Sequence, residues 1–182
     1  MQKAALILEG GAKRGVFTSG VLDYLMEQEY YIPHVIGVSA GSCNAVDYVS
    51  RQPGRTKACM IRSGEDGKII NFHNFFQTKS LLDMDLIFER DPKELHPFDF
   101  DTYFASDMTC EIVVTNCESG QAEYYSEKED GDRLMQLCRA SSSMPLVTPM
   151  VEIDGVPYLD GGIADSIPLI HSMRSGYRKN VL

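Results

Sequence analysis

The stretch Gly37-Val38-Ser39-Ala40-Gly41 decides how this chain is read. It has the form G-x-S-x-G, a nucleophile elbow, in the setting that pattern requires. Val35-Ile36 ahead of it are apolar and β-branched, which suits the end of a buried strand. From Ala40 to about Arg51 the residues can form a helix. A serine at such a strand-to-helix turn is expected on a strained backbone with glycine on both sides. Its hydroxyl would stand exposed above a helix N-terminus that favours developing negative charge. Glycine and serine are also common turn residues, so the pentapeptide by itself fits a plain turn at least as well.

The chain upstream repeats the arrangement. Ala4 to Leu8 reads as a buried strand that runs into Gly10-Gly11-Ala12-Lys13-Arg14-Gly15. A helical pattern follows, with Val16, Phe17, Val21, Leu22, Leu25 and Met26 on one broad face. Strand, glycine loop and helix together present backbone N–H groups at a helix N-terminus. A dinucleotide fingerprint would need a second glycine where Ala12 stands, and a phosphate-binding P-loop would need Lys-Ser/Thr after its last glycine, where Val16 follows Gly15. The remaining readings are an oxyanion hole built from the amides of Gly10 to Ala12, or a tight turn with no ligand. Ser39, one strand–helix unit later, favours the oxyanion hole. Alternating strands and helices imply a parallel sheet with its functional loops at the strands' C-terminal ends, which puts both glycine loops on one sheet edge.

From Gln52 to about Phe104 the pattern is irregular. Gln52-Pro53-Gly54 and Ser63-Gly64-Glu65-Asp66-Gly67 are turn signals, and a cluster including Phe72, Phe75, Phe76, Phe98 and Phe100 suggests short helices packed over the sheet. Part of this cover is expected to wall an apolar acyl pocket. His73 and His96 have no ligand-like spacing to another His or Cys and read as surface or packing residues. Cys110 to Thr115 and Gln121 to Tyr125 form a predicted hairpin. The acidic run from Glu127 to Asp132 is no complete calcium loop and leads into a helix ending at Ala140, which Ser141-Ser142-Ser143-Met144-Pro145 stops. Val151-Glu152-Ile153 and Val156-Pro157-Tyr158-Leu159 flank Asp154-Gly155, a second hairpin signal. Its second arm ends in Asp160-Gly161-Gly162, which in an ordinary loop would be only a turn.

Composition narrows the class. The 182 residues are most simply one domain, 43% hydrophobic and 24% charged. A net charge of −9 and a pI near 4.9 argue against nucleic acid and against electrostatic recruitment to an anionic membrane. A lipid substrate, with transient contact at a membrane surface, stays compatible with that charge. Five scattered cysteines without a C-x-x-C pair fit reduced, mostly buried thiols in a cytoplasmic protein. The apolar run at Ala4–Leu8 is too short for a signal segment, and no stretch approaches the roughly 20 apolar residues that span a bilayer.

Taken in order, Gly10-Gly11-x-x-Arg14-Gly15, Gly37-x-Ser39-x-Gly41 and Asp160-Gly161-Gly162 resemble the motifs of the patatin-like phospholipases, from about Ala4 to Asn180. The ending Asp160 to Pro168, Asp-Gly-Gly-x-x-Asp-x-x-Pro, is similar to that of bacterial members. The resemblance implies a three-layer α/β/α fold with a mainly parallel central sheet. It also implies a lipid acyl hydrolase that works through an acyl-enzyme, with no cofactor and no metal. It makes Ser39 the nucleophile and Asp160 its partner in a dyad. Gly10, Gly11 and Ala12 become the oxyanion hole, supported by Arg14, Gly15, Gly37, Gly41, Gly161 and Gly162. Arg14 would fix the loop, or meet a phosphate head group. Ala12 departs from the family, which more often has glycine there. Family domains also continue past the last motif, so the C-terminal part of the domain is expected to be absent, and Arg178 to Leu182 to open a further strand. Two rivals stay open. An α/β-hydrolase with a Ser-His-Asp triad would need His34, His73, His96 or His171. Of these, His34 sits at the opposite end of a short strand from Ser39, and His171 is expected on a solvent-facing helix after Pro168. A non-catalytic lipid-binding module would need no nucleophile.

Overall fold

Runs of Val, Ile and Leu in Ala4–Leu8 (β1) and His34–Val38 (β2) are buried along nearly their whole length, which suits strands covered on both faces. The computed structural model describes residues 4–61 and 80–182. Within them a seven-stranded sheet adds Thr109–Asn116 (β3), Ala122–Tyr125 (β4), Val151–Ile153 (β5), Val156–Asp160 (β6) and Lys179–Val181 (β7). β7, β1, β2 and β3 run parallel, whereas β4 and β6 each pair antiparallel with β3, and β5 closes a hairpin with β6. Both predicted hairpins form.

The register on β3 positions the site. Ile112 and Val113 pair with Gly37 and Val38 of β2 and also with Tyr125 and Tyr124 of β4. Val114 and Thr115 pair with β4 and also with Asp160 and Leu159 of β6. A strand has two edges, so β4 occupies one and β2 and β6 share the other. They meet there head-on: β2 leaves after Val38, opposite Val113, and β6 ends at Asp160, opposite Val114.

Helices cover the sheet. Gly15–Glu27 (α1), Ala40–Val49 (α2), Arg55–Met60 (α3), Phe100–Ala105 (α4) and Gly131–Ser141 (α5) join a π-helix at Leu86–Leu95. Side chains alternate across the strands, so Leu6, Leu8, Val35, Cys110, Ile112 and Val114 face the main core. Leu22 and Met26 of α1, Tyr48 of α2, Phe88 of the π-helix and Leu134 and Leu137 of α5 fill that core. His34, Ile36, Val38, Glu111 and Val113 face the other way, towards Leu169–Arg174 (α6) and Tyr177. The stripe α1 buries is Gly15, Ser19, Leu22 and Met26, so Phe17 and Val21, expected on its apolar face, are exposed at 82% and 48%. Gly15 admits this contact because a methyl group there would already lie 3.1 Å from the Ala40 Cβ. The aromatics Phe72, Phe75 and Phe76, with His73, lie outside the described residues.

A buried ion pair ties α2 to α3. The Asp47 carboxylate, 3% exposed, accepts from the Arg55 guanidinium at 2.8 Å and the Thr56 hydroxyl at 2.5 Å. Burial raises the Asp47 pKa even so, with Arg55 and Thr56 opposing the shift.

Candidate active site

Ser39 sits between β2 and α2 at φ 54° and ψ −125°, a left-handed conformation that costs a non-glycine residue about 1–3 kcal/mol. The strain lies in the serine itself. The flanking glycines answer a different need, close approach of the helix to the sheet. A methyl group on Gly37 would lie 2.6 Å from the Ser42 Cα, and one on Gly41 would run into the Leu8 carbonyl. With both positions bare, the first turn of α2 packs directly on β2 and the end of β1.

Serines hold the strained residue in place. The Ser39 carbonyl accepts from the Ser42 amide at 2.8 Å and the Ser42 hydroxyl at 2.6 Å. The Ser39 amide donates to the Ser141 hydroxyl at 2.8 Å. The Ser141 hydroxyl in turn donates to the Val113 carbonyl at 2.6 Å.

Asp160 ends β6 and is 7% exposed. Its backbone is fixed twice: its amide donates to the Ser143 carbonyl at 2.8 Å, and its carbonyl accepts from the Thr115 hydroxyl at 2.8 Å. Gly161 turns the chain where a methyl group would meet the Val113 carbonyl, which explains glycine there. The Asp160 carboxylate accepts from the Gly162 amide at 2.8 Å and shares one cavity wall with Ser39. Burial raises its pKa above the ordinary carboxylate value, and the neighbouring Ser39 hydroxyl and the Gly162 amide only partly oppose the shift.

The first glycine loop lies alongside. A methyl group on Gly10 would stand 2.8 Å from the Ser39 Cβ and 3.6 Å from its hydroxyl, so this loop touches Ser39. Gly11 has φ 147° and Ala12 φ 48°. Ala12 therefore occupies a left-handed conformation that favours glycine. No backbone hydrogen bond among the described residues uses the Gly10 or Gly11 amide. The Arg14 side chain folds back over the loop, its guanidinium 3.0 Å from where a Gly11 methyl would be. Gly10, Ala12, Ser39, Met144, Asp160 and Gly162 border a cavity of about 390 Å³, with Glu9, Gly11, Arg14 and Ser166 completing its wall.

No histidine lines that cavity among the described residues. His34 lies at the far end of β2, stacked on Tyr177 at 4.1 Å. His171, expected on a solvent-facing helix surface, instead stacks on Tyr124 at 3.5 Å and bonds Glu111 at 2.6 Å, because α6 packs on the sheet's second face. His96, read as a surface or packing residue, is bonded to the buried Asp91 at 2.8 Å. Donor atoms of Cys59, Asp91 and His96 lie within 4.8 Å of one another. The Arg55 guanidinium, 4.0 Å from the same Asp91 carboxylate, places positive charge where a cation would bind. The group is better described as a half-buried polar network around Asp91.

Elbow serine, buried carboxylate and glycine loop thus lie together on one edge of a largely parallel sheet in an α/β scaffold. The patatin-like phospholipase family model matches residues 6–172, and the chain belongs to that family. It is 29% identical to the uncharacterized protein YjjU of Escherichia coli K12, across 99% of this chain and 51% of that protein. The chain thus spans about half the length of that relative. A superposition on VipD from Legionella pneumophila covers 90% of this chain and 46% of that one, with 17% identity and a TM-score of 0.49. Among the described residues, no helix is long and apolar enough to cross a membrane.

Proposed function

We propose that the chain hydrolyses carboxylic esters of lipids through a Ser39–Asp160 dyad. The observation that carries this reading is the placement of Ser39 and the buried Asp160 carboxylate side by side on the wall of one cavity, against the first glycine loop, with burial raising the carboxylate's pKa. A serine hydroxyl becomes an effective nucleophile when a base within hydrogen-bond reach takes its proton, and a carboxylate of raised pKa is a better base than an ordinary one. Ser39 Oγ attacks the ester carbonyl carbon while Asp160 accepts the hydroxyl proton. The tetrahedral intermediate then collapses, Asp160 returns the proton to the leaving alkoxide, and the acyl-enzyme remains. Water attacks the acyl-enzyme with Asp160 again as base, releasing the fatty acid and restoring Ser39.

The amides of Gly10 to Ala12 are the donors that face the developing oxyanion, a contribution of roughly 3 kcal/mol per donor in other hydrolases. Arg14, folded over Gly11, holds that loop in shape. The absence of a histidine from the cavity wall among the described residues favours the dyad over a Ser-His-Asp triad. Membership of the patatin-like phospholipase family supports a lipid ester as the substrate class.

The test is hydrolysis of p-nitrophenyl esters of graded chain length by the unmutated chain, Ser39→Ala and Asp160→Asn. Ser39→Ala is expected to abolish turnover, and Asp160→Asn to lower kcat by roughly 10²–10⁴-fold. Full activity in Asp160→Asn would remove the dyad.

A further inference from the structure

The hydroxyl of Ser141 stands where a rung of the sheet is missing. β2 and β3 are parallel with Val38 opposite Val113, so the next ladder bond would join the Ser39 amide to the Val113 carbonyl. That bond cannot form directly, because at Ser39 the chain turns to φ 54° and leaves the strand. The Ser141 hydroxyl fills the gap, accepting from the Ser39 amide at 2.8 Å and donating to the Val113 carbonyl at 2.6 Å. Ser141 is fully buried, at 0% exposure. One hydroxyl thereby satisfies the donor and the acceptor that the departing chain would have orphaned.

We propose that Ser141 is a positioning residue for the nucleophile, a role that rests on the Ser39–Asp160 reading above. A strained backbone persists only where its surroundings over-determine it. The bridge to Ser141 pins the Ser39 amide to β3, the strand against which Asp160 also ends. It also commits the Ser39 amide, so the oxyanion is left to the Gly10–Ala12 loop. The next turn of chain repeats the service for the base, since the Ser143 carbonyl accepts from the Asp160 amide at 2.8 Å. The C-terminal end of α5 therefore sets the Ser39–Asp160 geometry while touching no reacting atom.

The experiment measures, for the unmutated chain, Ser141→Ala, Ser141→Thr and Ser50→Ala, the rate of Ser39 labelling by a fluorophosphonate and the hydrogen exchange of the Ser39 amide. Ser50→Ala removes another buried hydroxyl, bonded to the Asp47 carbonyl at 3.2 Å at the far end of α2, and controls for general loss of stability. Loss of the bridge is expected to slow labelling on the order of tenfold to a hundredfold, the scale of a small misplacement of a reacting group. The deficit should appear in the maximal labelling rate with the half-saturating probe concentration unchanged, and Ser39 amide protection should fall. Ser141→Thr, which keeps a hydroxyl, should label faster than Ser141→Ala. Labelling of Ser141→Ala at the unmutated rate, or equal slowing in Ser50→Ala, overturns the positioning role and leaves the dyad standing. An unmutated chain that takes no label on Ser39 overturns the hydrolase reading and the positioning role together.

Discussion

Gly10 lies against Ser39 so closely that a methyl group on it would stand 2.8 Å from the serine Cβ. The first glycine loop and Ser39 are therefore in contact, and any side chain at Gly10 must push one away from the other. Gly10→Ala is expected to lower kcat/KM for a p-nitrophenyl ester on the order of a hundredfold or more, the effect of losing one oxyanion donor. Thermal unfolding followed alongside separates this from a folding defect.

Ala12 makes the opposite case. At φ 48° it holds a backbone that glycine adopts freely. Ala12→Gly should relieve about 1 kcal/mol of strain in the folded chain, partly offset by the greater freedom of glycine when unfolded. A small rise in Tm, read by circular dichroism, is the expected outcome, and a clear fall would contradict the strain assignment.

Asp160 links function to stability. Its pKa is raised by burial, so the folded chain binds this proton more tightly than the unfolded chain does. Below the unfolded value the group is protonated in both states and costs nothing. As pH rises through the unfolded and then the folded pKa, burial of the charge becomes a growing penalty on the fold. Asp160→Asn should therefore raise Tm at neutral pH while removing activity, with the Tm difference shrinking towards acid pH. Activity of the unmutated chain should rise with pH across an inflection above the ordinary aspartate value.

The Asp47–Arg55 pair makes a different prediction. Both groups are largely withdrawn from water, and Arg55 is the cation that offsets the buried Asp47 charge. Arg55→Ala leaves that carboxylate uncompensated and should lower the free energy of unfolding by about 3–5 kcal/mol. Denaturant titration reads it directly, and an unchanged midpoint would show that solvent reaches Asp47.

None of the five cysteines is in a disulfide, and burial pushes Cys43 up to about 11 and Cys110 up to about 12. A thiol held protonated is a poor nucleophile. Cys43 and Cys110 should resist iodoacetamide at neutral pH in the native chain and react after denaturation, as peptide mass mapping would show.

Much of this was legible in the sequence because its signals are local. G-x-S-x-G between an apolar strand and a helix marks the elbow, and Asp154-Gly155 between two short apolar runs marks the β5–β6 hairpin. The seat of β6 was not legible: nothing local says that it runs antiparallel to β3 on the edge β2 vacates. Ser141 was equally hidden. Its triplet with Ser142 and Ser143 reads as a helix stop, and only tertiary packing shows one hydroxyl bridging Ser39 to Val113. Phe17 and Val21 misled for a related reason, since hydrophobicity marks a face of α1 whereas Gly15 and Ser19, small enough for close approach, are what that helix buries. His171 misled too, because its partners Glu111 and Tyr124 come from other strands.

The head-on meeting of β2 and β6 has a consequence for how the chain matures. Asp160 reaches Ser39 only when β6 docks on β3 in one alignment, with Asp160 opposite Val114. Side chains alternate along a strand, so a displacement by a single residue would offer Leu159 at that place and turn the carboxylate away. Acquisition of activity during refolding would then lag behind collapse of the core and serve as a proofreader of strand alignment, silent in every compact form that has β6 misplaced by one step.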